Sequence, residues 1–323
     1  MRRRTLLIGT AAGAAVMGLA ACSEESGGGG GGDGDLPYIA IVSKGFQHQF
    51  WQAVKTGAER GAEGRATITF DGPATESDVE DQINMLQSAI AKSPAALAFA
   101  ALDSRAAEGL LQQAQSQDIP VIAFDSGVDS EIPLTTVATD NKAAAAAAAE
   151  HMAELIDNKG KVAMVIHDQT SGSGQDRRDG FIEWMEQNAP DIELLEPQYG
   201  EGDQNLSANI TKSILTSTPD LAGIYGANEG SAIGVIKGVQ ESGKDGEVVI
   251  VGFDSGQAQI DAIESGVMAG AITQDPVGMG EQLIEAALKA INGEELSATI
   301  DTGFYWYDAD NIDDPEIQEA LYE

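Results

Sequence analysis

Short apolar runs alternate with amphipathic segments along most of this chain. The apolar runs predict strands at residues 38–43, 66–70, 95–100, 121–124, 161–166, 192–197, 223–225, 248–253 and 269–272. The helical spacing of apolar positions predicts helices at 50–64, 77–92, 104–117, 142–157, 176–187, 205–216, 231–242, 257–264 and 279–292. Continuously apolar strands that alternate with helices are typical of parallel sheets covered on both faces. The pattern therefore predicts a doubly wound α/β fold.

Polar residues or glycines follow nearly every predicted strand. They form the tripeptides Ser43-Lys44-Gly45, Asp125-Ser126-Gly127, His167-Asp168-Gln169, Asn228-Glu229-Gly230 and Asp254-Ser255-Gly256. Open parallel sheets bind their ligands at the carboxyl ends of the strands. These tripeptides therefore predict a polar ligand site.

The segment before the first strand has the layout of an export signal. Three arginines, Arg2 to Arg4, precede an apolar run that ends in Leu19-Ala20-Ala21-Cys22. This run is too short for a membrane span and stops at a processing site, so residues 1–21 are predicted to be a signal peptide. Arg3-Arg4-Thr5-Leu6-Leu7 also loosely fits a twin-arginine signal, which leaves the export route open.

The tetrapeptide that ends at Cys22 resembles the bacterial lipobox. This resemblance implies cleavage before Cys22 and lipidation of its sulfur. Residues 22–35 would then be a lipidated cysteine followed by a glycine-rich tether, whose composition predicts a flexible coil. We expect an exported protein, held by its lipid anchor on the outer face of the cell membrane or in the periplasm.

Composition and charge narrow the class of the remaining body. The chain has 323 residues and a formal net charge of −34, so its surface repels phosphate backbones and nucleic-acid binding is not expected. Its single cysteine excludes disulfides within the mature fold, and its three histidines lack metal-ligand spacing. Because common catalytic motifs are also missing, we expect no enzyme activity, no metal and no cofactor. The aspartates at 308, 310, 313 and 314 predict a solvated acidic tail.

Six segments in order along the body resemble the ribose-type periplasmic sugar-binding proteins, the receptors of ABC importers. The segments are residues 43–58, 119–126, 139–141, 177–181, 227–229 and 251–254. The resemblance implies a type I periplasmic binding protein fold, with two Rossmann-like lobes joined by a hinge of three crossovers. It implies a sugar or polyol bound between the lobes, an ABC permease as partner, and a monomeric receptor without chemistry or cofactor.

The family topology also implies the lobe boundaries. The N-terminal lobe would comprise residues 36–139 and 275–302, and the C-terminal lobe residues 140–274 and 303–323. Ligand binding between such lobes favours the closed state, which a permease would recognise.

The same resemblance supplies candidate site residues. His48, Phe50 and Trp51 match first-loop positions where an asparagine and two aromatics are usual. Polar ligand contacts of the family match Asp125, Arg177, Asn228, Asp254 and Gln274. Aromatic rings cover the apolar faces of a sugar, whereas charged and amide groups bind its hydroxyl rim.

Other roles remain open for some of these residues. Phe50 and Trp51 suit the core of the first helix, and Asp254 suits the N-cap of the helix that follows it. Arg177 suits a surface salt bridge.

Three positions depart from the ribose-type pattern. Ala100 stands where the family has an asparagine, and Ser126 where it has an arginine. Gly202 lies near the position of an aromatic, for which Tyr199 is a candidate substitute. Each change removes hydrogen-bonding or stacking capacity, so we expect a ligand other than ribose.

Two alternative functions stay open at this point. Residues 70–73 and 124–126 also resemble the autoinducer-2 receptors, so a quorum-sensing or chemosensory ligand receptor is the first alternative. The second is an exported carbohydrate-active enzyme. It would need two carboxylates across a cleft, and Asp125 and Asp254 are the candidates.

Overall fold

The computed structural model describes residues 36–322, which form thirteen strands and ten helices. The strands are β1 (Tyr38–Val42), β2 (Thr67–Asp71), β3 (Ala96–Phe99), β4 (Val121–Phe124), β5 (Thr136–Ala138), β6 (Gly160–Ile166), β7 (Ile192–Leu194), β8 (Gln198–Tyr199), β9 (Leu221–Gly226), β10 (Val249–Phe253), β11 (Gly270–Gln274), β12 (Thr299–Asp301) and β13 (Phe304–Asp308). The helices are α1 (Gln49–Ala62), α2 (Val79–Ala91), α3 (Glu108–Ser116), α4 (Asn141–Leu155), α5 (Gly172–Asn188), α6 (Gln204–Ser217), α7 (Glu229–Glu241), α8 (Gln257–Glu264), α9 (Pro276–Ile291) and α10 (Pro315–Ala320). The predicted signal peptide, Cys22 and the tether lie outside the described residues.

The first lobe is built on a six-stranded parallel sheet in the order β12-β5-β4-β3-β1-β2. Alternate residues of β1 enter different cores, as the pleat of a strand requires. Ile39 and Ile41 pack with α1 and α9 on one face, whereas Ala40 and Val42 pack with α2 and α3 on the other. Burial on both faces explains why these strands read as continuous apolar runs.

The second lobe is built on a seven-stranded sheet in the order β13-β11-β10-β9-β6-β7, with β8 also paired to β6. Its pairs are parallel except for β11 and β13, which run antiparallel. One core packs α4 and α5 against this sheet, and a second core packs α6 and α7 against its opposite face. The predicted α/β fold is therefore confirmed.

The chain passes between the two sheets three times. The passages follow β5, β11 and β12, and their residues lie side by side. Thr139 Oγ1 donates a hydrogen bond of 2.8 Å to Gln274 Oε1 and lies 3.3 Å from Thr302 Oγ1. One threonine hydroxyl thus contacts residues at the other two passages.

Two close-packed glycines bring α1 and α9 together. A Cβ atom on Gly57 would lie 2.0 Å from the carbonyl oxygen of Val277, and one on Gly280 would lie 2.2 Å from that of Val54. Any larger residue would meet backbone at either position. Helices α1 and α9 cover one face of the first sheet, and α1 directly follows the loop that holds His48.

The structure adds elements that the sequence patterns do not predict. Strands β5, β12 and β13 and helix α10 lie in segments without predicted structure, and 192–197 forms the shorter β7 rather than one long strand. The prediction of a solvated acidic tail around residues 308–314 is wrong in part, because β13 reaches Asp308 and Ile312 is buried beyond it. His151, on α4, stacks on Trp306 of β13 with ring centroids 3.9 Å apart. Among residues 36–322, no helix has both the length and the apolar character needed to cross a bilayer.

Candidate functional site

One nearly closed cavity lies between the lobes, where the carboxyl ends of strands from both sheets face each other. Its volume is about 20 Å³, room for about one water molecule. All eight ligand-site candidates line it, together with four residues that were not predicted: Lys44, His48, Phe50, Trp51, Glu76, Asp125, His167, Ser173, Arg177, Asn228, Asp254 and Gln274. The structure therefore brings the eight predicted side chains to one place.

A larger open cleft of about 510 Å³ adjoins this cavity and shares Asp125 and Ser173 with it. It also borders the passages between the sheets, near Thr139 and Asp301. Its lining contains several aspartates but no aromatic ring, lysine or arginine. The closed cavity has the aromatic walls and mixed charges that a sugar site needs, so we regard it as the candidate site.

Phe50 and Trp51 form the aromatic wall, and α1 positions both of them. Their rings meet edge to face at 4.9 Å, and both side chains belong to the core of the first lobe. Trp51 is also fixed by its Nε1, which donates a hydrogen bond of 2.7 Å to Glu76 Oε1. The core role and the cavity-lining position therefore coexist in these two residues.

His48 and Glu76 form a charged pair beside this wall. His48 precedes α1, and its Nε2 lies 3.7 Å from Glu76 Oε2. Burial alone would lower the pKa of His48, but the Glu76 and Glu229 carboxylates raise it above its usual value. Burial opposes ionisation of Glu76, yet His48 and then Lys44 hold the pKa of Glu76 well below its usual range. An imidazolium–carboxylate pair is the state that this geometry favours.

Asp125 and Asp254 both follow buried strands and adopt left-handed backbone conformations, with φ of 56° and 78°. Aspartate tolerates this region better than most residues, and such strain is common at functional sites. Asp254 accepts hydrogen bonds from Gln274 Nε2 at 2.7 Å and from the Glu229 amide at 2.8 Å. The N-cap of α8 is Gly256, so the capping role considered for Asp254 is wrong.

Asp125 is less well satisfied than Asp254. Its Oδ2 accepts a hydrogen bond of 3.2 Å from Ser126 and lies 4.0 Å from Lys44 Nζ. Burial raises the pKa of Asp125, although Lys44 and Arg177 partly offset this effect. A ligand hydroxyl would supply a donor that this carboxylate lacks.

Arg177 is buried, so the surface salt bridge considered for it is wrong. Its Nε donates to Asn141 Oδ1 at 2.7 Å, and its Nη1 donates to the Ala227 carbonyl at 2.9 Å. The guanidinium lies 3.7 Å above the centre of the Phe253 ring. These contacts fix its plane, as a bidentate donor to hydroxyls requires.

Asn228 and Gln274 line the cavity while also bonding to protein groups. Asn228 Oδ1 caps α7 by accepting from the Ser231 amide at 2.9 Å, and its Nδ2 donates to Glu76 Oε2 at 3.3 Å. Gln274 connects Thr139 to Asp254 through its two amide atoms. Both residues therefore position other groups of the site.

Four cavity residues were not predicted. Lys44 is the second residue after β1 and His167 directly follows β6, so the strand-end pattern included both without singling them out. Ser173 lies in the first turn of α5, and Glu76 lies in the loop after β2, where no pattern pointed to the site. Burial lowers the pKa of His167 to about 3, so this imidazole is neutral near pH 7.

Tyr199 does not line the cavity, and its hydroxyl lies 3.4 Å from Arg178 Nη1. A Cβ on Gly202 would lie 3.0 Å from Glu76 Oε2. Glu76 and its neighbours thus occupy the space that an aromatic at position 202 would need. Within 36–322, no group of three histidine, cysteine, aspartate or glutamate side chains is arranged to hold a metal ion.

Two α/β lobes closed over a polar, aromatic-walled cavity define a ligand receptor of the periplasmic type. The chain matches the family described as periplasmic binding protein domain over residues 39–295, so it belongs to that family. It is a substrate-binding protein of the ABC transporter class and not an enzyme. This family also places it outside the cytoplasm.

Individual relatives agree with this assignment. The chain is 25% identical to the ribose import binding protein RbsB of Haemophilus influenzae, over 81% of this chain and 88% of that protein. It is 28% identical to the D-allose-binding periplasmic protein of Escherichia coli, over 75% and 80% of the two chains. An ABC transporter solute-binding protein from Agrobacterium vitis, solved with bound D-fucose, is 33% identical. That structure superposes with a TM-score of 0.86, over 88% of this chain and all of that one.

Proposed function

We propose that this receptor binds one neutral monosaccharide or polyol in the cavity between the lobes and delivers it to an ABC permease. The observation that carries the proposal is the convergence of Trp51, Asp125, Arg177, Asn228 and Asp254 from both lobes on one buried cavity. At about 20 Å³ this cavity is far smaller than the usual small-molecule site of about 300–1,000 Å³. The side chains around it must therefore move apart to admit even a single sugar ring, which fits this site better than an oligosaccharide does.

The charge around the cavity favours a neutral ligand. Asp125, Asp254 and Glu76 line it together with Lys44 and Arg177, and the raised pKa of His48 adds a third cationic group near neutral pH. Carboxylates and cations thus occur in similar number, so an extra charge brought by the ligand would lack a counterion. Hydroxyl groups can donate to the carboxylates and accept from the cations.

The lobe boundaries that we propose follow the three passages. The first lobe comprises residues 36–139 and 275–302, and the second comprises residues 140–274 and 303–323. Contacts of Lys44, His48 and Glu76 with second-lobe residues support a closed arrangement of these lobes. We infer that the receptor works as a monomer, because the candidate site is complete within one chain.

A thermal-shift panel tests the ligand class. The panel contains D-ribose, D-allose, D-fucose, ribitol, D-glucuronate and D-glucosamine. A ligand at 100 times its Kd adds about 2.7 kcal/mol to the free energy of unfolding, which gives a readily measured rise in Tm. We expect the rise with a neutral sugar or polyol, and product analysis after incubation should find that compound unchanged. A rise confined to the charged sugars, or conversion of the sugar, would contradict the proposal.

We further propose that Cys22 carries the lipid anchor of the exported receptor. The support is its position after Leu19-Ala20-Ala21, as the only cysteine of the chain. Metabolic labelling with an alkyne fatty acid should mark the wild type and leave Cys22→Ser unlabelled. Equal labelling of the two proteins would contradict the anchor.

A further inference from the structure

Lys44 presents a buried ammonium whose contacts are all long. Only 2% of the residue is exposed, and its Nζ lies 3.3 Å from Ser126 Oγ, 3.3 Å from Ser173 Oγ and 3.4 Å from Ser171 Oγ. The nearest carboxylate oxygens, of Asp168 and Asp125, are 3.8 and 4.0 Å away. Charge-assisted N–H···O bonds are typically about 2.7–2.9 Å long, so none of these acceptors binds the ammonium closely.

Lys44 brings a cation to the wall of the cavity beside Ser126, from the loop after β1. An ammonium directs its donors to single oxygens, whereas a guanidinium binds two oxygens in a plane. This wall therefore suits a single ligand oxygen rather than two oxygens in one plane.

We propose that Lys44 is a ligand-contacting, specificity-determining residue, whose ammonium donates to one hydroxyl or ring oxygen of the bound sugar or polyol. This proposal rests on the proposed function. A ligand oxygen would supply the close acceptor that the serines and aspartates do not provide. A ligand with hydrogen or an ammonium group at that position would leave the Lys44 charge buried without a close partner.

Calorimetry on Lys44→Met tests this assignment with D-ribose, D-allose, D-fucose, ribitol and their monodeoxy analogues. We expect the variant to bind the preferred compound tenfold to hundredfold more weakly than the wild type. One deoxy analogue should bind the wild type more weakly than its parent compound does, by the same factor as the Lys44→Met substitution costs. Lys44→Met should bind this analogue as strongly as it binds the parent compound. Lys44→Gln keeps an N–H donor, so its affinity for the preferred compound should lie between those of the wild type and Lys44→Met. Lys92→Met removes an exposed lysine from the same lobe and serves as the control.

Two outcomes separate this inference from the function itself. A wild type that binds no member of the panel contradicts the sugar-receptor proposal and, with it, the role of Lys44. A wild type that binds, while Lys44→Met binds the same compounds within twofold, contradicts only the assignment of Lys44. A direct contact would also be contradicted if, for every deoxy analogue, the affinity lost through Lys44→Met and the affinity lost through the missing hydroxyl simply add.

A second inference concerns two helices that receive their N-terminal caps from the opposite lobe. Helix α1 begins after His48 and α8 begins after Gly256, and neither residue supplies a side-chain cap. The amides of Gln49 and Phe50, at the start of α1, donate to the two carboxylate oxygens of Glu229, each at 3.0 Å. In return, Gln49 Oε1 accepts from the Gln257 amide of α8 at 2.9 Å.

Most other helices of the described chain carry a cap within their own segment. The capping residues are Asp78, Asp140, Ser171, Asp203, Asn228 and Asp275, before α2, α4, α5, α6, α7 and α9. The first amides of a helix need an acceptor, and a carboxylate there also interacts favourably with the helix dipole. For α1 and α8 these interactions exist only while the lobes touch.

We infer that Glu229 and Gln49 form a reciprocal capping latch that stabilises the closed state. Opening would leave three helix amides to solvent and remove the Glu229 carboxylate from the start of α1. The Glu229 amide also bonds to Asp254, which lines the cavity. A ligand bound to Asp254 is therefore connected to the helix that carries the latch.

Hydrogen exchange by mass spectrometry, with and without the strongest compound of the panel, tests the latch. Glu229→Ala and Gln49→Ala should each shift the lobes toward the open state by about twofold to thirtyfold, the usual effect of losing a cap. We expect faster exchange in the peptide covering residues 46–54 of Glu229→Ala, and unchanged exchange at the start of α4, which Asp140 caps. Spin labels on the two lobes should report a larger open fraction.

Glu241→Gln is the matched control, because it removes an exposed carboxylate from the other end of the same helix. Apparent affinity should fall by the same factor as the closed fraction. Exchange and label distances equal to those of the wild type in both variants would overturn the latch, whether or not a sugar binds.

Discussion

At the residue scale, two aspartates in equivalent strand-end positions have different surroundings. Asp254 accepts short hydrogen bonds from Gln274 and the Glu229 amide, whereas Asp125 has only longer contacts with Ser126 and Lys44. Asp254 is therefore fixed before any ligand arrives, and Asp125 gains more of its hydrogen bonding from the ligand. Both left-handed backbones disfavour alanine, so asparagine is the cleaner substitution at either position.

Asp254→Asn should weaken binding of the preferred sugar. The substitution keeps the shape and the left-handed backbone but removes the charge that two protein donors and Arg177 face. We expect a loss of about 1–3 kcal/mol of binding free energy by calorimetry. Asp261→Asn, at an exposed position on α8, should bind as the wild type does. Binding of Asp254→Asn within twofold of the wild type would contradict the site.

His167 should make the folded protein sensitive to acid. The unfolded chain takes up a proton near the ordinary histidine pKa of 6.5, whereas in the folded state burial lowers the pKa of His167 to about 3. Between these values the unfolded state binds more protons, so this residue lowers the stability as the pH falls, by at most about 1.4 kcal/mol per pH unit.

Urea unfolding of the wild type and His167→Gln between pH 7 and pH 4 checks this expectation. The variant should gain stability relative to the wild type as the pH falls below 6.5. Parallel pH profiles would show that His167 is not held neutral. His151→Gln, which changes a histidine stacked on Trp306, is the comparison variant.

The sequence predicted residues whose role follows from a motif and missed those placed by tertiary structure. Trp51, Asp125 and Asp254 stand in recognisable segments at strand ends or helix starts, and they line the cavity. Glu76 reaches the cavity from the long loop after β2, because its carboxylate pairs with His48 and Trp51. No local pattern encodes such a pair across the fold.

At the element scale, the buried central strands with apolar runs were predictable, whereas the late strands β12 and β13 were not. Strands β3 and β4 are entirely buried four-residue apolar runs, so composition alone marks them. Strand β12, with the sequence Thr-Ile-Asp, is largely exposed at the edge of its sheet, and the aromatic β13 pairs antiparallel at an edge. Their pairing depends on the chain returning between the sheets, which periodicity does not reveal.

Two glycine substitutions should have opposite effects on stability. Gly57→Ala forces a methyl group against the Val277 backbone, so we expect it to lower the free energy of unfolding by about 1–3 kcal/mol or more. Gly109→Ala, in α3, meets no atom within 4 Å and should raise it by about 0.5–1 kcal/mol through better helix propensity. Urea unfolding measures both changes. If Gly57→Ala were as stable as the wild type, α1 and α9 could move apart without cost.

At the scale of the whole molecule, the site and the passages between the lobes belong to one hydrogen-bonded network. Thr139 bonds to Gln274, Gln274 bonds to Asp254, and Asp254 bonds to the Glu229 amide. The Glu229 carboxylate then reaches α1 in the other lobe. A ligand held by Asp254 therefore acts on groups that connect the lobes, which favours the closed state by its differential affinity.

Ligand binding should make the protein more compact. Small-angle scattering should show a smaller radius of gyration on addition of the sugar or polyol that gives the largest thermal shift, because that ligand contacts both lobes at once. Trp51→Ala, which removes one of the two rings of the aromatic wall, should need a higher concentration of the same compound for the same compaction. Glu229→Ala should bind more weakly and leave a larger open fraction at saturation than Glu241→Gln. Tight binding with an unchanged radius of gyration would place the ligand outside the cavity between the lobes.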